Sequence, residues 1–182
     1  MHGYPLFLNL QGKNCLVYGG GEVATRKIEA FLKRGAKVLC ISKAFSQDLK
    51  KMAEKFKPDL KLKKTHSSTV VVGLKTASPT LVIAATSECA FNASVAQFWR
   101  KKRVWVNAVD DPENRDFYAA AIVEKGPLQI AISTGGTSPL FAKKLRETLE
   151  KVIPSSVGET LKKIGKVRAE RVRMARKQGS PK

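Results

Sequence analysis

The sequence predicts an α/β fold: a parallel sheet doubly wound by helices, then a small β-hairpin/helix module and a C-terminal helical segment. Three observations carry that prediction. Short apolar runs alternate with amphipathic stretches between Asn14 and Val106. A glycine-rich turn joins the first run to the first amphipathic stretch. After Pro112 the alternation gives way to two short runs joined by a tight turn.

Residues 14–18 read as the first strand and 22–34 as a helix ended by Gly35, with Lys37-Val38-Leu39-Cys40-Ile41 as the next strand, which together make one βαβ unit. Ser46 to Phe56 reads as a helix, Leu60 to Lys64 as a short strand, and Thr80 to Ala85 as a strand buried on both faces. Ala90 to Lys101 forms the next helix and Val104-Trp105-Val106 the last strand of the alternation. Beyond it, Phe117–Val123 and Leu128–Ile132 are expected to pair across Glu124-Lys125-Gly126-Pro127. Ser138 and Pro139 suit the cap and first position of a helix whose apolar face is Phe141, Leu145, Leu149 and Val152, and Pro154 ends it. A last helix over 157–177 carries Val157, Leu161, Ile164, Val167, Val172 and Ala175 in a seam too lean for burial alone, so it is expected to pack on a second subunit. The expected boundaries are 1–112, 113–153 and 154–182.

The turn between the first strand and helix reads Gly19-Gly20-Gly21-Glu22-Val23-Ala24, the spacing G-x-G-x-x-A. Gly19 permits a tight turn, Gly21 lets the backbone approach a pyrophosphate, and Ala24 lets the helix lie close to the strand, with the helix amides and dipole facing the phosphates. This makes the first region Rossmann-like and its ligand a dinucleotide. The second strand ends in Ile41-Ser42-Lys43-Ala44, without the acid that often binds the ribose hydroxyls. Ser42 can donate to a ribose and Lys43 can accept a 2′-phosphate, so these residues leave NAD and NADP open.

Composition bounds the function further. A chain of 182 residues buries one good core, and no apolar run approaches the ~20 residues of a membrane span. Residues 1–10 lack a charged leader and cleavage site, so the expected location is cytoplasmic. Cys15, Cys40 and Cys89 have no metal-like spacing, and His2 and His66 are the only histidines, which argues against a zinc site or a serine–histidine pair. The formal charge is +19, and residues 151–182 hold ten basic against two acidic side chains. That asks for an anionic partner, but no aromatic residues interleave with the cations and no nucleic-acid motif is matched.

Two loops fall at the strand ends where ligands bind. In Val106-Asn107-Ala108-Val109-Asp110-Asp111-Pro112, adjacent carboxylates raise the cost of ionising both, which suits Asp110 to accepting a proton, while Asp111 can simply cap the turn before Pro112. In Ser133-Thr134-Gly135-Gly136-Thr137-Ser138, amides and hydroxyls precede a helix and can grip a carboxylate or phosphate.

Taken in order, Pro5-Leu6-Phe7-Leu8-Asn9-Leu10, Gly19 to Lys27, Ala84-Ala85-Thr86, Asn92, Val106 to Asp110 and Ser133 to Pro139 closely resemble the precorrin-2 dehydrogenase family, which includes the N-terminal module of siroheme synthase. The resemblance runs over about residues 4–153. It implies NAD-dependent oxidation of precorrin-2 to sirohydrochlorin, with ferrous or cobalt ion as a further substrate where metal is also inserted. It implies Gly19, Gly21, Glu22, Val23, Ser42, Lys43, Ala44 and Thr86 at the cofactor, and Asp110 as the catalytic base. Asn107, Ser133, Thr134, Gly135 and Thr137 would then lie at the substrate, with no resident metal. It further implies a homodimer, and a longer helical region than the one ending at Lys182. Thr134 departs from the serine found in some relatives. The substrate's carboxylates give the basic surface a use without nucleic acid or membrane. The alternatives are a tetrapyrrole chelatase or carrier without redox activity, and a basic nucleic-acid-binding Rossmann protein.

Overall fold

The computed structural model describes residues 3–65 and 78–178, so His2 and His66 lie outside the described residues. The described chain forms two compact units, Leu6–Tyr118 and the remainder from Ala119 together with the N-terminal segment up to Pro5.

In the first unit, strands β1 (Asn14–Tyr18), β2 (Lys37–Ser42), β3 (Leu60–Lys64), β4 (Leu81–Ala84) and β5 (Trp105–Ala108) form a wholly parallel sheet in the order β3-β2-β1-β4-β5. Helices α1 (Glu22–Leu32), α2 (Gln47–Lys55) and α3 (Cys89–Lys101) cover it. Successive side chains of a strand point to opposite faces, and here both faces are dry. Cys15 and Val17 pack on one side with Ile28 of α1, Leu49 of α2 and Cys40. Leu16 and Tyr18 pack on the other with Val95 and Trp99 of α3. This is why the strands read as unbroken apolar runs. Val17, Ile28, Leu49, Ile83 and Val106 are almost wholly buried, each contributing about 1.5–3 kcal/mol of transfer free energy. Strand order reverses direction between β1 and β4, which opens a crevice at their C-terminal ends.

After β5 the chain folds back on the sheet edge. Asp116 N–H donates to the Val106 carbonyl at 2.7 Å, its carboxylate accepts from Val106 N–H at 2.8 Å, and Asn107 Nδ2 donates to the Phe117 carbonyl at 2.5 Å. These bonds keep 113–118 with the first unit, so the division falls at Tyr118 and not at the expected residue 112. They also delay the next strand: β6 is Ala121–Lys125, without the Phe117 expected to start it.

In the second unit, β6 pairs antiparallel with β7 (Leu128–Ile132), and helices α4 (Pro139–Val152) and α5 (Ser156–Gln178) follow. The hairpin, α4 and α5 belong to one unit, where sequence had divided them at 153. Close approach joins hairpin to α5: a Cβ on Gly158 would sit 2.7 Å from the Lys125 carbonyl oxygen, and Gly126 turns at φ 59° against it. From residue 162 to residue 175 α5 is exposed, including Ile164, Val167 and Val172. Among the described residues, no helix is long and apolar enough to cross a membrane.

Candidate active site

The glycine turn is fixed from several sides. Gly19, at φ 109°, donates its N–H to the Ile41 carbonyl at 2.9 Å and accepts the Cys40 thiol at 3.2 Å. A Cβ on Gly19 would collide with the Ala85 carbonyl, and one on Gly20 with the Ala44 carbonyl. At Gly21 a Cβ would meet nothing within 4 Å. The neighbouring backbone therefore compels Gly19 and Gly20, the second of which the motif treats as free, while the space over Gly21 is open. Gly21 caps α1, and its carbonyl accepts from Thr25 N–H at 3.0 Å and the Thr25 hydroxyl at 2.9 Å. The amides of the first turn of α1 have no intrahelical acceptor, as in any helix.

Over this turn lies a cleft of about 530 Å³. Its rim is the glycine turn with Glu22, the β2 corner Ser42-Lys43-Ala44, and the loop Thr86-Ser87-Glu88 after β4, with Tyr18 and Phe91 among its other walls. Tyr18 is held by an edge-on contact with Phe91, and its phenol, which accepts from Trp99 Nε1 at 3.3 Å, is pushed up to about 12 by burial. The loop after β4 is clamped by Asn92, which is 2% exposed. Asn92 Oδ1 accepts from the Thr86 hydroxyl at 2.7 Å and Thr86 N–H at 3.2 Å, and Nδ2 donates to the Thr86 carbonyl at 3.0 Å. Across the rim, Lys43 Nζ donates to Glu88 Oε1 at 2.7 Å.

Asp110 and Asp111, adjacent in sequence, have different settings. Asp111 accepts from Asn114 Nδ2 at 2.7 Å and from the N–H groups of Asn114 and Glu113, each at 3.2 Å. The Asn114 bond first of all holds its carboxyl below the usual range, so Asp111 is the turn-forming acid. Asp110 is exposed and left-handed at φ 61°, a region few non-glycine residues adopt and one that asparagine and aspartate tolerate best. Its carboxylate acts on Lys27 of α1: burial and then Arg26 push the Lys27 amine down, and Asp110 opposes them. Asn107 is buried at the end of β5 with its amide on Phe117.

In the second unit the loop between β7 and α4 closes on itself. The Ser133 hydroxyl accepts from Gly135 N–H at 3.1 Å, the Thr134 hydroxyl from Ser138 N–H at 3.1 Å, and Thr137 N–H donates to the Thr134 carbonyl at 3.1 Å. Gly135 and Gly136 make the turn at φ 63° and 88°.

Gly19, Gly21, Glu22, Ser42, Lys43, Ala44 and Thr86 thus surround one cleft, and Val23, half-buried on α1, does not line it. Asn107, within β5, and Asp110, just past it, lie outside that lining, at the C-terminal edge of the same sheet. Ser133, Thr134, Gly135 and Thr137 lie in the other unit. Sequence reasoning missed Glu88, whose partner is 45 residues away, and the clamp made by Asn92. Cys40, read as core filling, also ties its thiol to the glycine turn. Among the described residues no three His, Cys, Asp or Glu side chains form a group that could hold a metal ion.

A parallel sheet with a glycine turn, an open helix N-terminus and a cleft at its switch point defines a dinucleotide-binding protein. Residues 6–121 match the family described as "Putative NAD(P)-binding", and residues 125–151 match the one described as "Sirohaem biosynthesis protein central". Siroheme synthase 2 of Yersinia enterocolitica is 37% identical over 92% of this chain and 34% of its own length. Siroheme synthase of Methylococcus capsulatus is 39% identical over 94% of this chain and 35% of its own. The solved structure of SirC, precorrin-2 dehydrogenase, superposes with a TM-score of 0.72 at 26% identity, covering 92% of this chain and 79% of that one. The chain belongs to the precorrin-2 dehydrogenase family, which includes the N-terminal module of siroheme synthase. It spans about a third of the length of the curated relatives it matches.

Proposed function

We propose that this chain oxidises precorrin-2 to sirohydrochlorin with NAD, in the cytoplasm, as a step of siroheme synthesis. One observation carries the proposal: a dinucleotide-sized cleft over the glycine turn shares its sheet edge with an exposed, left-handed Asp110. The residues present fit the cofactor, since Gly21 leaves the approach to the helix N-terminus open and Ser42, Lys43 and Thr86 supply polar groups around it. NAD, when bound, supplies a two-electron acceptor for one hydride from a macrocycle carbon.

The remaining step is proton removal. As a C–H bond breaks and its electron pair leaves with the hydride, a ring nitrogen must lose a proton, and the Asp110 carboxylate accepts it. Asp110 is unprotected by the bonds that commit Asp111 to its turn. Asn107, tied to Phe117, fixes the strand end from which Asp110 projects. The hydroxyls and amides of Ser133, Thr134, Gly135 and Thr137 address the substrate's carboxylates, which the +19 chain also attracts from a distance. Ferrous or cobalt ion is a candidate second substrate for the same carboxylate. The apolar side chains that α4 and α5 leave exposed, Leu140, Phe141, Ile164 and Val172, are the surface through which a homodimer forms.

The test is anaerobic incubation with freshly made precorrin-2, following sirohydrochlorin and NADH. Asp110→Asn keeps a residue that tolerates the left-handed backbone and removes the base, so turnover should fall at least ~100-fold with folding and NAD binding intact. Undiminished oxidation by that variant removes Asp110 as the base. Absence of turnover by the parent chain with either NAD or NADP, alongside retained sirohydrochlorin binding, selects a chelatase or carrier.

A further inference from the structure

The second strand of this fold ends without an acid, and Lys43 stands at the corner where a dinucleotide's adenosine ribose lies. A cation there is the feature that accepts a 2′-phosphate, so the corner alone favours the phosphorylated cofactor. Glu88 reverses that. Its Oε1 is 2.7 Å from Lys43 Nζ, both side chains are about half exposed, and both line the cleft.

We propose that Glu88, delivered from the loop after β4, is the residue that makes the cleft select NAD over NADP, by neutralising Lys43 and placing a carboxylate where the 2′-phosphate would lie. The proposal rests on the dinucleotide reading of the cleft.

The position of Glu88 is built into the fold. It occupies the cap position of α3, yet its side chain makes no capping bond, leaving the carboxylate for Lys43. Its backbone N–H donates to the Thr86 hydroxyl at 3.2 Å, and Thr86 is in turn held by buried Asn92. A surface ion pair between long side chains is worth little to stability. Its consequence here is for the charge a ligand meets. With Glu88 in place the pair is neutral, and a phosphate carrying between one and two negative charges finds a cation already satisfied and an anion beside it. NAD has only hydroxyls at that position and incurs no such repulsion. The carboxylate that other sites carry on the second strand is thus supplied here across the crevice.

The experiment measures Kd for NAD and for NADP with the full chain, for the parent, Glu88→Gln and Glu88→Gln/Lys43→Gln, at low ionic strength and again in ~0.5 M salt. The parent should bind NAD more tightly. Glu88→Gln should lower the ratio Kd(NADP)/Kd(NAD) by about tenfold through tighter NADP binding, because Lys43 is released. The double variant should lose that gain, and high salt should reduce it. An unchanged ratio in Glu88→Gln overturns the proposal, as does an equal weakening of both cofactors, which would mean the pair only holds the loop. Binding of neither cofactor by the parent overturns the dinucleotide reading itself and the proposal with it.

Discussion

Replacing Asn92 with alanine should both destabilise the first unit and loosen its cleft. Asn92 is 2% exposed and makes three hydrogen bonds to Thr86, at 2.7, 3.0 and 3.2 Å. A neutral hydrogen bond contributes about 1 kcal/mol net, so the full loss is about 3 kcal/mol; water reaching the half-buried Thr86 recovers part, leaving about 2–3 kcal/mol. With a urea m-value of about 2.5 kcal/mol/M, the midpoint should fall by about 1 M. Ser87→Ala, at an exposed neighbour in the same loop, is the control and should shift stability by under ~0.5 kcal/mol. The assay is urea unfolding followed by tryptophan fluorescence, because Trp99 packs in the core that α3 shares with the sheet. Cofactor titration of the folded variant gives the second readout, since freeing Thr86 also frees Glu88, and NAD binding should weaken. A midpoint for Asn92→Ala indistinguishable from that of Ser87→Ala would refute the reasoning, because it would mean the buried amide does not hold the loop.

Burial pushes the Cys15 thiol up to about 11 and the Cys40 thiol up to about 12, so few thiolates form at pH 8 in the folded state, whereas Cys89 is exposed. Intact-mass measurement after iodoacetamide treatment should show one adduct, at Cys89, in native protein and three in denaturant; two or more in the native state would mean the core opens readily. Asp111 is held below its ordinary pKa in the folded protein, mainly by Asn114, so its contribution to stability is complete above the ordinary carboxylate range and is lost as pH falls through its depressed value. The difference in urea midpoint between parent and Asp111→Ala should therefore shrink from pH 7 to pH 3, and a difference independent of pH would show that the carboxylate's charge does not hold the turn.

The centre of the sheet was legible because β1 and β4 lie between two dry faces, so burial wrote itself into the sequence as runs such as Cys15-Leu16-Val17-Tyr18. The glycine turn was legible for a local reason: its constraints act over a few residues between a strand and a helix. Its internal division was less so. Gly20 looks permissive in the motif, but the Ala44 carbonyl that excludes a Cβ there comes from the next strand's end. Phe117 and Tyr118 look like the start of a strand; what prevents it is the Asn107 amide, a bond that no periodicity records. Glu88 stayed invisible for the same reason, since its meaning depends on Lys43 across the crevice. The roles of Asp110 and of the Ser133–Ser138 loop came from adjacency and resemblance, and the geometry separates Asp110 from Asp111 by what each is bonded to.

The folding back of residues 114–117 has a consequence for how this molecule meets its neighbours. A parallel sheet ends in two rows of backbone donors and acceptors, each able to template another chain. On the β5 side, Ala108 N–H donates to the Asn114 carbonyl at 3.1 Å and Val106 is bonded twice to Asp116, itself pinned at 2.8 Å by Arg100. On the β3 side, Lys61, Lys63 and Lys64 crowd a five-residue strand with like charge. Among the described residues, one border is paired with its own chain and the other carries like charges that oppose pairing with a copy. Continuing this sheet with a neighbour's strand would have to displace residues 114–117 on one border or bring like charges together on the other.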